Sequence, residues 1–226
     1  MLEGIPMLLP WVFIGATFTC GLFLVLASTR RRLLLVLCGG WLALQAALAI
    51  PGFYKVTHTL PPRMALAIGP PLVAIVVMFA TRSGRACVDA LDVRLLTWLH
   101  VVRVPVEWGL HALFVQGLVP ELMTYEGRNF DILSGLSAPM VAWLAFRKGR
   151  VDRTLLLVWN LVCMGLLINI VFYGILSVPT PLQQFGTEQP NVGLLYFPFI
   201  WLPAFIVPVV LFAHAVVLRR SLLRDP

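Results

Sequence analysis

Polar and apolar positions along this chain fall into long blocks rather than short amphipathic periods. Seven stretches are poor in charge: residues 7–27, 33–52, 64–80, 95–119, 132–146, 154–178 and 196–218. An apolar run of about 18 residues is long enough to cross the hydrocarbon of a bilayer as a helix. The pattern predicts an all-α integral membrane protein of seven transmembrane helices, forming a single helical domain over residues 1–226. The fifth stretch is the shortest, and the fourth breaks the rule by carrying charge.

The polar positions between the blocks orient them. Arg30, Arg31, Arg32, Arg82, Arg85, Arg94, Arg147, Lys148, Arg150, Arg153, Arg219, Arg220 and Arg224 fall on one side, thirteen of the 17 basic residues. Lys55, Arg63 and Arg128 fall on the other, and Arg103 lies inside the fourth block. Lysine and arginine accumulate in cytoplasmic loops. The N-terminus is therefore expected outside and the C-terminus in the cytoplasm, with a bacterial inner membrane as the location. Glu3 precedes the first apolar run and the arginines follow it. That is the reverse of a signal peptide and agrees with an N-terminus outside.

Composition strengthens the membrane reading. Hydrophobic residues make up 60% of the chain and charged ones 12%, against roughly 25% charged in soluble domains. The net charge of +7 follows from topology, because the basic residues sit in short loops and form no single soluble face. No nucleic acid is expected as a partner. The expected partner is the lipid bilayer, and a small polar solute or ion, or a second copy, is compatible with it. Cys20, Cys38 and Cys163 lie in apolar blocks and Cys87 in a cytoplasmic loop, so no disulfide framework is expected.

The fourth block reads LHVVRVPVEWGLHALF, with His100, Arg103, Glu107 and His111. At 100° per residue these four share an arc of about 80° and cover roughly 16 Å of helix axis. An unpaired Arg or Glu at mid-bilayer costs about 2.5–3.5 kcal/mol. The stripe should therefore face the bundle interior as a substrate or proton pathway, with Arg103 and Glu107, four apart, paired. Pro105 between them removes a helix hydrogen bond and should kink the helix there. His214, near the cytoplasmic end of the last block, is expected at the depth of His100. Asn160, Asn169 and Tyr173 add neutral polar groups.

A second polar concentration falls on the outer side. VPELMTYEGRNFDILSG carries Glu121, Glu126, Arg128, Asn129 and Asp131, and the loop before the third block carries His58. His58, His111 and a carboxylate have the ligand types of a divalent-metal site, though no spacing is diagnostic, and no cofactor is diagnosed. His100 with His214, and His58 with His111, form the pairs that a membrane haem would use. The chain has no P-loop, no GxGxxG, and no lysine in the last block for a retinal Schiff base.

Prolines interrupt the third block (Pro70, Pro71) and the seventh (Pro198, Pro203, Pro208). Interrupted spans in matching halves point toward transporter-like sites. RRLLLV and DRTLLLV each open a block after arginines, and the arrangement is similar to the 3+1+3 topology of sugar-permeating transporters of the SWEET type. The segment PELMTYEGRNFDILSG resembles uncharacterised bacterial multi-pass membrane proteins, a resemblance that implies no activity and no catalytic residues. Three readings stay open: a small-solute or proton-linked transporter, a membrane-embedded metal- or haem-dependent enzyme, and a non-catalytic scaffold.

Overall fold

A computed structural model describes residues 4–147 and 151–223, and every regular element in it is helical. The main helices are α1 (Leu8–Ala27), α2 (Arg31–Ala49), α3 (Ala65–Ala80), α4 (Arg82–Asp89), α5 (Val93–Leu99), α6 (Arg103–Val115), α7 (Ile132–Ala145), α8 (Arg153–Leu176) and α9 (Val207–Leu222). Local chemistry sets several starts. Asp92 accepts from the backbone N–H groups of Arg94 and Leu95, Thr81 from that of Gly84, and Asp152 from that of Leu155. Each side chain satisfies N–H groups left open in a first helical turn.

Among the described residues, four helices are long and apolar enough to cross a membrane: α1, α2, α8, and Leu202–Leu222, which contains α9. Helices α3 and α4 together make a fifth candidate, bent by 93°. Helix α7 is apolar but short. The outer surface carries Trp11, Phe18, Val36, Val76, Leu136, Trp143, Val162 and Phe172 exposed, while Arg103, Glu107, Asp131 and His214 are buried. Water would invert that arrangement. In lipid it is the stable one, because apolar side chains face hydrocarbon and costly polar groups face protein.

Two predicted spans differ in detail. The stretch 95–119 is not one uninterrupted helix. A 3-10 turn at His100–Val102 separates α5 from α6, which ends at Val115. Pro105 lies just beyond that turn. It has no N–H for the Val101 carbonyl, and its ring crowds that carbonyl. The stretch 196–218 also starts late. Residues 196–200 form a bend and turns, and a π-helical segment at Leu202–Ile206 leads into α9. Pro208 cannot donate to Ala204, so an α-helical bond is missing there. The indole of Trp41 in α2 donates to that carbonyl instead, at 2.8 Å, and the indole of Trp201 donates back to Leu42 at 3.1 Å.

Helix α9 is the centre of the bundle. Its apolar stretch is 67% buried, against 17% for α2. It packs on α8 and α5, while α1 lies across α5 and α6. The helices opened by RRLLLV and DRTLLLV hold unlike places: α2 stands at the rim beside α1, and α8 runs along α9. Close approaches fix α6 at the centre. A Cβ on Gly109 would sit 2.5 Å from the Phe13 ring of α1, and one on Gly135 in α7 would sit 2.8 Å from Val104.

Candidate functional site

The polar core begins at Arg103, on the first turn of α6. Its Nε donates to Oδ2 of Asp131 at 2.6 Å, and Nη2 donates to the other oxygen of the same carboxylate. This is the two-pronged geometry in which guanidinium and carboxylate bind most strongly. Nη2 also reaches the Cys163 carbonyl at 3.3 Å, and Nη1 lies 3.1 Å from Nε2 of His214. Arginine has only donors, so Nε2 of His214 is the acceptor and Nδ1 keeps the ring proton. That proton goes to Oδ1 of Asn160 at 2.7 Å, and Asn160 donates to the Leu156 carbonyl at 2.7 Å.

The loop between α6 and α7 supplies the other end. Glu121–Met123 forms a 3-10 turn, and Gly127 folds back over it. A Cβ there would stand 2.4 Å from the Glu121 carbonyl, which only glycine avoids. The reversal carries Asn129 into the bundle, where it is fully buried. Its amide nitrogen donates to Oε2 of Glu107 at 2.5 Å and to the Met123 carbonyl at 3.0 Å, and its Oδ1 accepts from the Asp131 backbone N–H at 3.0 Å. One connected chain of polar groups thus runs Glu107, Asn129, Asp131, Arg103, His214, Asn160.

The expected pairing of Arg103 with Glu107 is corrected by this geometry. Arg103 crosses to Asp131 on a different element, and Glu107 takes an amide instead. Both charged residues of α6 are only 2% exposed, and Asp131 is 4% exposed. A cavity of about 40 Å³ lies against Arg103, Glu107 and Asp131, walled by Leu167, Ile170 and Val210 among others. That is room for a few water molecules. A second cavity of about 60 Å³ shares Leu110, Ile170, Leu202 and Val207 with it and extends to Asn191.

His100 does lie beside His214, with ring centroids 4.0 Å apart and planes 27° from parallel. Stacked face to face, the two rings leave no gap for a porphyrin between them. The Trp159 ring meets His100 edge-on at 5.3 Å. Neither nitrogen of His100 has a hydrogen-bond partner among the described residues.

The residues of the α6–α7 loop, with His111, form a separate group. His111, half-buried on α6, pairs with Glu126 at 3.0 Å and stacks on Tyr125 at 4.8 Å. Arg128 donates to the Tyr173 hydroxyl at 2.8 Å, and its carbonyl accepts from Asn169 at 2.8 Å, tying the loop to α8. Glu121 stays exposed at the start of its turn, and His58 is exposed in the segment before α3. No three His, Cys, Asp or Glu side chains come together as metal donors among the described residues. The His58–His111–carboxylate set is therefore not assembled; His111 is occupied by Glu126.

A family model described as a domain of unknown function (DUF8737) matches residues 61–222. The chain belongs to this family. The match includes every residue of the connected polar chain, from Arg103 to His214. No curated protein and no solved structure matches the chain.

Sequence reasoning missed Asn129 as the link and Asp131 as the partner of Arg103. One signal pointed to them: an Asn and an Asp two apart, immediately before an apolar run, behind a glycine.

Proposed function

We propose that this chain is a proton-linked carrier of small solutes, crossing a bacterial inner membrane seven times with its N-terminus outside. One observation carries the reading, the charge balance at the cavity. Arg103 and Asp131 neutralise one another. Glu107 is then the surplus charge, held by the Asn129 amide against a small cavity with apolar walls. A buried carboxylate without a cation is costly in this setting, and a proton is the smallest cation that relieves it. Uptake and release of that proton would alter the contacts of Asn129, and through it the docking of the outer loop and α7. Such a change is the coupling a carrier needs between proton and conformation. The two cavities, of about 40 and 60 Å³, hold only water-sized species, so on this reading α6 and α9 must part to admit a solute.

The test uses purified protein in liposomes with an entrapped pH-sensitive dye. Small sugars, amino acids and carboxylates are added outside in turn. At least one should drive proton entry in the wild type, and Glu107→Gln should abolish it. Proton entry unchanged in Glu107→Gln, or no solute-driven entry in the wild type, refutes the assignment.

A further inference from the structure

The face opposite the Glu126 loop carries a site of different chemistry. Where α5 and α8 begin and α9 ends, a cavity of about 300 Å³ opens, and Arg94, Arg153, Arg220, Ser221 and Asp92 line it. Three guanidinium groups reach it from three separate helices. Two are anchored at the backbone: Arg153 donates to the Leu223 carbonyl at 3.1 Å, and Arg220 donates to the Asp89 carbonyl. Asp92 is the one acidic residue among those lining the cavity, and its Oδ1 caps α5, accepting from the backbone N–H groups of Arg94 and Leu95 at 2.8 and 3.1 Å, so three arginines outnumber one carboxylate there. Asp89, next to it, is held by Arg219. Phe146 and Leu156 form part of an apolar wall.

We infer that this cavity binds a phosphate group, with the arginines of α5, α8 and α9 as its cradle. Guanidinium groups match the geometry of phosphate oxygens. The surroundings favour phosphate presented by an anionic phospholipid. The cavity opens at the ends of the apolar helices α8 and α9, where headgroups lie, and its wall suits the start of an acyl chain. Basic pockets between helices at the inner membrane face hold such headgroups. The inference needs the chain to be embedded in a membrane but is independent of transport. Lipid binding and proton entry are separate readouts, and either can fail alone.

The test is native mass spectrometry of the full chain released from detergent. It is titrated with phosphatidylglycerol or phosphatidylcholine, and inorganic phosphate is titrated in parallel by calorimetry. Retained phosphatidylglycerol, weak phosphatidylcholine and no phosphate heat are expected. Arg94→Gln with Arg220→Gln should weaken phosphatidylglycerol about thirtyfold, at about 1 kcal/mol for each arginine. Arg32→Gln with Arg82→Gln, which removes equal charge outside the cavity, should weaken it far less. Ser221→Glu puts an anion into the cavity while keeping every arginine, and should also release the lipid if the double variant fails to fold. Phosphate heat without lipid retention would keep the phosphate site and overturn its lipid source. Equal weakening by the two double variants, or no retention of either ligand by the wild type, would overturn the site.

Discussion

Replacing Asp131 by Asn tests the core of this structure directly. The asparagine keeps the shape of the side chain but removes its charge and one of its two acceptor oxygens, leaving Arg103 a buried cation with only neutral acceptors: the new amide oxygen, the His214 nitrogen and a carbonyl. The two side chains are 3% and 6% exposed, so solvent cannot replace the lost carboxylate. Breaking a buried pair by removing one partner costs about 3–5 kcal/mol. Glu107→Gln makes the same chemical change four residues along α6, but the new amide oxygen still accepts from Asn129. That cost should stay within about 1 kcal/mol, the net worth of an ordinary hydrogen bond. Reversible unfolding in mixed micelles measures both variants. Arg103→Leu combined with Asp131→Leu should recover most of the loss, since no unpaired charge remains. Equal losses for Asp131→Asn and Glu107→Gln would refute the assignment of partners, and a larger loss for Glu107→Gln would restore the pairing within α6.

Three further outcomes follow from the packing. Trp41→Phe removes the donor for the Ala204 carbonyl and should cost about 1–3 kcal/mol in the same assay; adding Pro208→Ala, which restores a backbone N–H, should return part of it. Gly135→Ala sets a methyl against Val104 and its backbone nitrogen, which lie 2.8 and 3.0 Å from the new atom, and should destabilise by about 1–3 kcal/mol, with Leu136→Ala, at an exposed position of the same helix, as a control. The Arg219 hydrogen bonds hold the Asp89 carboxyl below its ordinary range, so its stabilising effect is full above the ordinary carboxylate pKa and is lost as pH falls through the lowered value; Asp89→Asn should flatten the acid limb of a stability–pH profile below about pH 4.

Helix positions were legible because a covalent run of apolar residues is enough to specify them. The predicted and observed limits of α1, α3, α7 and α8 differ by one or two residues. The partner of Arg103 was not legible. On a helix ladder Glu107 is the natural choice, but Asp131 is placed by a loop reversal at Gly127 that no periodicity reports. The same reversal buries Asn129, which reads in sequence as one more polar residue of an exposed loop. The start of α9 is not legible, because Tyr196–Trp201 is as apolar as any helix and only the bend and turns at 196–200 separate it. His100 and His214 were placed at one depth from their distances to the arginine clusters. Their stacking depends on how α5 and α9 face each other, which hydropathy does not encode.

The pairing of Arg103 with Asp131 has a consequence for biosynthesis. The two residues are 28 positions apart, and the arginine is made first. When α6 leaves the ribosome its guanidinium has only Glu107 of the same helix within reach, and not the two-pronged partner it holds in the folded bundle. The loop must be made, folded and followed by the start of α7 before the native pair with Asp131 can form. On the proposed seven-span topology, α6 and α7 should therefore insert together as one hairpin, with the Glu121–Asp131 loop setting when the pair can close.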